Sequence, residues 1–248
     1  MASIAGMGES IPAGVMILKV VVLMSESSLT NGGILVVYKE LGMTSHAVVN
    51  MVRTYTGQKR VGHAGTLDPC AKGVMVIGVG RAATRTLAAI VAKEKEYIVR
   101  VRLGWRSTSD DREGQKTQVS VSEVPSEDRI RQALKSFEGI ISQRPPIFSA
   151  IKVRGRAAYK IARAHRPLDL PARQVEAKQI ELLAYTWPFL DLRLVTGPGF
   201  YVRSLAHDLG EMLGTGGYVE ELERTRVGPY TKECALRLSD LRRPNTNP

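Results

Sequence analysis

Apolar residues change their spacing several times along the chain, and each spacing predicts an element. ILVVY at 34–38 is a short apolar run of strand type. Thr44 or Ser45 can then cap a helix running to about Tyr55. A second short run ends in Val61, and VMVIGVG at 74–80 has the pattern of a buried strand, followed by a helix over 84–92. KEYIVRVRLG at 95–104 alternates: Tyr97, Val99, Val101 and Leu103 share one face, Ile98, Arg100 and Arg102 the other. Ile130, Ala133, Leu134 and Phe137 mark an amphipathic helix over 127–137. Strands are expected at about 174–185 and 189–196, the second alternating Leu190, Leu192 and Leu194. Val202, Leu205, Leu209 and Leu213 form the buried stripe of a further helix, with Arg203 and Gly210 on its flank.

Composition bounds this picture without deciding it. With 248 residues, 44% of them hydrophobic and 24% charged, the chain suits one large globular domain or two small ones. The apolar run at 11–24 is too short to cross a bilayer and contains Lys19, and no basic residue precedes it as in a secretory signal. A membrane partner is therefore not expected, and the cytoplasm is the expected compartment. Residues 1–31 leave three readings open: an ordered extension, a loose tail or an over-long start. Two cysteines without paired spacing and four histidines outside any HExxH arrangement predict neither disulfide nor metal. The formal net charge of +11 suggests a polyanionic partner. Its distribution says more. Between Arg144 and Arg173 lie eight basic residues and one acid, Asp169, interleaved with Pro145, Phe148 and Tyr159, a mixture that suits RNA.

The densest chemistry is GHAGTLDPCAKG at 62–73, where three glycines and a proline surround a single carboxylate, Asp68. Small residues permit tight turns and close approach of a large ligand, which puts Asp68 at the tip of a loop between strands. An isolated Asp-Pro would simply be turn chemistry. GVGRAA at 78–83 mimics a dinucleotide fingerprint, but the following strand has no acid at its end to hold a ribose, so nucleotide binding is not expected.

The Asp68 stretch resembles the catalytic motif of the TruB-type pseudouridine synthases, GHxGxLDPxAxGVL, and other segments resemble that family too. GILVVYKELGMTS keeps Lys39, Gly42, Thr44 and Ser45 of its KPxGxTS pattern, with Glu40 where proline is usual. KEYIVRVRLG places Tyr97 and Gly104 on KxYxxxxxLG, and WRSTSDDREG keeps Asp111 and Gly114 with Thr108 in place of an aspartate. RPPIFSAIKVRGRAAYKIARAH at 144–165 matches PPxxSAxKxxGxxxYxxAR, through Lys152, Tyr159 and Arg163 among others. TGPGFYVRSLAHDLGEMLG resembles GTYIRxLxxDLGxxLG, with Phe200 for threonine, and Leu222, Arg224 and Gly228 fit LxRxxxGxF. The resemblance covers about residues 33–241, leaving 242–248 as a tail and no room for the small PUA domain that many bacterial members carry.

The resemblance implies an α/β fold with a mixed, mainly antiparallel sheet, flanking helices and a central RNA-binding cleft. It implies a cofactor-free, metal-free synthase that converts the T-loop uridine of tRNA, position 55, to pseudouridine. The expected partner is the T-arm stem-loop, and the chain is expected to act as a monomer. Asp68 falls on the catalytic aspartate, Tyr97 on the tyrosine against the target base, Arg203 on the arginine that reaches the aspartate, and Leu222 on a pocket-wall leucine. His63 falls on the residue that inserts into the RNA. Lys39 and Lys152 would serve phosphates or loop geometry, and Arg154, Tyr159 and Arg163 lie in the basic RNA-contacting region. Each has a blander reading. Tyr97 could be a core tyrosine, Arg203 a side chain snorkelling to water, and His63 a half-buried histidine bonded to backbone. A non-catalytic RNA-binding or RNA-folding protein would share the basic surface yet not need Asp68.

Overall fold

The computed structural model describes residues 32–149, 151–153, 156–157 and 170–241. Its centre is a ten-stranded sheet. In chain order the elements are β1 (Gly33–Lys39), α1 (Ser45–Thr56), β2 (Val61–His63), β3 (Ala71–Val79), α2 (Gly80–Val91) and β4 (Lys95–Leu103). Then come β5 (Trp105–Ser107), β6 (Lys116–Gln118), α3 (Glu127–Lys135), β7 (Gly139–Gln143), β8 (Lys152–Val153) and β9 (Arg156–Ala157). The chain continues through β10 (Arg173–Thr186), β11 (Phe189–Thr196), α4 (Val202–Leu213), β12 (Gly217–Val227), β13 (Tyr230–Thr231) and β14 (Leu236–Arg237). Across the sheet the strands run β14-β1-β3-β12-β4-β11-β10-β7, with β2 on β3 and β13 on β12. Only β1/β14 and β3/β12 pair parallel; the others are antiparallel, as expected.

The periodicity of each strand follows from what covers it. Leu35 and Val37 of β1 and Met75, Ile77 and Val79 of β3 share one core with the apolar stripes of α1, α3 and α4. Val36, Val74 and Val76 point the other way and meet Leu87 and Ile90 of α2. Because β3 is covered on both faces it reads as an unbroken apolar run. β4 buries Tyr97, Val99, Val101 and Leu103, while Arg100 on the opposite face is exposed, so it alternates.

Helix α2 begins at Gly80, four residues before the expected start. Gly80 has φ +81°, a conformation glycine adopts at little cost, so the chain turns from β3 straight into the helix. Its N–H donates to the Arg60 carbonyl, 2.8 Å. At Gly78 a Cβ would lie 3.1 Å from Ala83 backbone atoms, so the glycine lets α2 sit tight on the sheet, as expected for the GVGRAA turn. Helix α3 ends at Lys135, two residues short of the expected limit, with Phe137 still buried beyond it. No helix among the described residues is long and apolar enough to cross a membrane.

Candidate active site

Asp68 stands on a short turn between β2 and β3, and three separate segments hold that turn. The Ser45 hydroxyl, at the start of α1, donates to the Leu67 carbonyl and accepts from the Leu67 N–H, both at 2.8 Å. Gly42 N–H donates to the Pro69 carbonyl, 2.9 Å. From below, the Arg224 guanidinium donates to Gly65 and Thr66 carbonyls at 3.2 and 3.4 Å, and through Nε to Val74 at 2.8 Å. Thr44, not Ser45, is the cap of α1, accepting from Ala47 N–H at 3.0 Å.

The Asp68 side chain is 33% exposed, and one oxygen lies 2.9 Å from Nη2 of Arg203, which is only 5% exposed. Arg203 therefore does not snorkel. It is held in place by donating to the Phe148 carbonyl at 2.9 Å and the Ser109 carbonyl at 3.1 Å, with Asp111 at 3.6 Å beyond. The start of α4 is fixed by a buried amide. Gln143 donates to the Tyr201 carbonyl at 2.9 Å and accepts from the Tyr201 N–H at 2.7 Å. Ser204 adds a bond to the Arg144 carbonyl, 2.7 Å.

A cavity of about 270 Å³ opens beside the ion pair, lined by Asp68, Tyr97, Tyr201, Arg203, Leu222 and Arg224 among others. It is near the lower limit of ligand pockets, roughly 300 Å³. Strands β4 and β12 place Tyr97 directly opposite Arg224, and Leu222 opposite Val99. Burial pushes the Tyr97 phenol above its ordinary range, while the Arg224 guanidinium opposes that rise and Asp68 adds to it. The structure thus brings Asp68, Tyr97, Arg203 and Leu222 to one cavity.

The other expected contacts fare differently. His63 is half-buried on β2 and does not line the cavity; burial first, then Arg224, lowers its pKa, and Nδ1 has no hydrogen-bond partner. Of the two roles open to Lys39, the structure shows loop geometry: it is 0% exposed, and its ammonium donates to the Met43 and Glu40 carbonyls at 2.7 and 3.1 Å. At the end of β1 it closes the 40–43 turn. Arg154, Tyr159 and Arg163 lie outside the described residues, as does the side chain of Lys152. Arg224 received no role from the sequence, although its spacing two residues after Leu222 on a strand puts both on the cavity face.

Among the described residues, Cys70, Asp111 and Glu113 bring metal-ligand atoms within 4.8 Å of one another. Asp111 is already engaged by the Ser109 hydroxyl at 2.5 Å and the Glu113 N–H at 3.0 Å. Burial pushes the Cys70 thiol up to about 12, with Asp111 adding to the rise.

Residues 53–202 match the family model of the TruB family pseudouridylate synthase N-terminal domain, and residues 203–246 that of the tRNA pseudouridylate synthase B C-terminal domain. The chain belongs to the TruB family of pseudouridylate synthases. It is 43% identical over 217 residues to tRNA pseudouridine synthase B of Thermobifida fusca, covering 84% of this chain and 74% of that protein. The enzyme of the same name from Mycobacterium tuberculosis H37Rv is 43% identical over 218 residues, covering 86% and 73%. In a crystal structure of a Cbf5-Nop10-Gar1 complex, one chain superposes with a TM-score of 0.67 at 31% identity, over 89% of this chain. This chain spans 56% of that longer one. In this TruB-family chain the boundary between the two matched segments falls between Val202 and Arg203. The Asp68–Arg203 ion pair therefore joins the segments, and β12 of the second lies between β3 and β4 of the first in one sheet.

Proposed function

We propose that this TruB-family chain isomerises uridine in tRNA to pseudouridine, and that its target is the T-loop uridine at position 55. Residues 32–241 form the catalytic domain, which works in the cytoplasm as a monomer on the T-arm stem-loop. The observation that carries this reading is the carboxylate of Asp68 held at 2.9 Å by a buried guanidinium, both lining one cavity. Isomerisation breaks the C1′–N1 bond, turns the uracil and rejoins it through C5, with no redox step. Positive charge develops on the sugar as the bond breaks, and a fixed carboxylate at that point favours the transition state. Arg203 fixes the direction of that carboxylate through its planar fork. Tyr97 gives the base a ring face and a hydroxyl for the C5 proton, and Leu222 helps exclude water that would capture the cleaved intermediate. The base reaches the cavity only when flipped out of its stack, at a cost of about a few kcal/mol. His63, on the strand leading into the Asp68 turn, fills the space it leaves.

The test is an unmodified T-arm RNA carrying tritium at uracil C5. The wild-type chain is expected to release tritium, and Asp68→Asn to release none above background. Equal release by both proteins removes Asp68 from the chemistry; no release by either rejects the enzyme reading for this RNA.

A further inference from the structure

Arg224 is 2% exposed, in the middle of the sheet, and has no carboxylate partner: among the described residues it makes no ion pair. Its donors go to three carbonyls, those of Gly65, Thr66 and Val74. A buried guanidinium satisfied by neutral oxygens keeps its full charge, and in a medium poorer than water that charge acts over several ångströms. Groups on β1, β2 and β4 lie within reach of that charge. Burial lowers Lys39 and Lys95 to about 8, with Arg224 a further lowering influence on each, and it acts in the same direction on His63. Pure scaffolding would not require a charge: the loop carbonyls could be met by a neutral donor without these penalties. The arginine also lies opposite Tyr97 in the strand register, and both line the cavity.

We propose that Arg224 is a positioning residue that acts through Tyr97, holding the phenol oxygen and stabilising the phenolate that receives the C5 proton. This rests on the pseudouridine synthase reading above. In the step concerned, the Tyr97 phenol gives up its proton to water only as its oxygen meets the C5 hydrogen, since burial holds its pKa above the ordinary range. After uracil has rejoined the sugar through C5, the C5–H bond breaks and its proton passes to the phenolate oxygen. The bonding electron pair stays in the ring and restores the C5–C6 double bond, and N1 takes a proton from water. Substrate and product therefore remain isomers. The assignment differs from that of Arg203, whose charge is spent on Asp68 and Asp111. Two guanidiniums flank the cavity with separate duties, one for the carboxylate and one for the phenol.

The test reads the phenol directly and needs no turnover. A fluorinated tyrosine that ionises near neutrality is placed at position 97 of the full chain and titrated by ¹⁹F NMR. Arg224→Gln is expected to raise its apparent pKa by about one unit or more, the effect of removing one neighbouring opposite charge, and Arg224→Lys to restore part of the shift. An unchanged titration in folded Arg224→Gln overturns the proposal. Should that variant not fold, the unsubstituted arginine supplies the measurement. Its guanidinium NMR signals are expected to move at the same pH as the ¹⁹F signal, and independence of the two overturns the proposal equally. A chain that releases no tritium from RNA yet shows the coupling would reject the enzyme reading while leaving the Arg224–Tyr97 interaction in place.

Discussion

Replacing Ser45 by alanine removes one oxygen that serves Leu67 twice. Its hydroxyl bonds both the N–H and the C=O of Leu67, and Ser45 itself is 5% exposed, so water cannot readily replace it. Each buried backbone group left unpaired costs about 1–3 kcal/mol, so Ser45→Ala should lose at least ~2 kcal/mol. Thr44 is the neighbouring helix cap, exposed to solvent, and Thr44→Ala should cost about 1 kcal/mol. Urea denaturation followed by circular dichroism compares the two. The structural reasoning also ranks their activities. Leu67 precedes Asp68, so a slack Leu67 lets the carboxylate drift, and a displacement near 1 Å can cost about a hundredfold in rate. Tritium release at a temperature where both variants are folded should therefore fall by tenfold or more in Ser45→Ala and stay near wild type in Thr44→Ala. If Ser45→Ala proves no less stable than Thr44→Ala and equally active, the anchoring of the Asp68 turn by α1 is refuted.

Other expectations follow from single contacts. Arg203→Lys should lose at least about a hundredfold in kcat, since one ammonium cannot serve Asp68 and the Ser109 and Phe148 carbonyls together; steady-state tritium release reads it. At Gly73, φ is +120° and a Cβ would sit 2.2 Å from the Arg224 carbonyl oxygen. Gly73→Ala should thus cost more than about 3 kcal/mol, whereas Gly139→Ala, with nothing within 4 Å, should cost only its left-handed backbone, about 1–2 kcal/mol; denaturation midpoints separate the two. His207 lies 3.0 Å from Asp110, and that bond raises its pKa. The folded chain thus holds the proton more tightly than the unfolded one, whose histidine titrates near about 6.5. The stabilisation is complete below that value and disappears as pH rises through the folded pKa. The Tm difference between wild type and His207→Gln should accordingly be larger at pH 5.5 than at pH 9, and a difference that grows toward alkaline pH would contradict the pairing.

What could be read in advance depended on whether a residue's role is local. The alternation of β4 and the apolar run of β3 are local consequences of one or two covered faces, and both were legible. The meeting of Asp68, Tyr97 and Arg203 at one cavity was legible through motif resemblance and not through spacing. Lys39 stayed open between a phosphate and loop geometry because nothing local says that its ammonium turns inward to Met43 and Glu40. Ser45 looked like a cap because serine before a helix usually is one, and its real partner is 22 residues away. Arg224 was hidden more deeply. In the sequence it is only a match to LxRxxxGxF, and its buried place follows from β12 lying between β3 and β4.

The parallel pairing of β3 with β12 sets Ala71 beside Leu222 and Gly73 beside Arg224. The floor beneath the Asp68 turn is thus supplied by residues synthesised some 150 positions later, and β14 likewise docks on β1. During synthesis the first two-thirds of the polypeptide has no means of completing this centre. Partly made chains should be inert toward RNA, and contacts this remote in sequence favour slow assembly over fast. Competence arrives late and all at once, when the carboxy-terminal strands slot in.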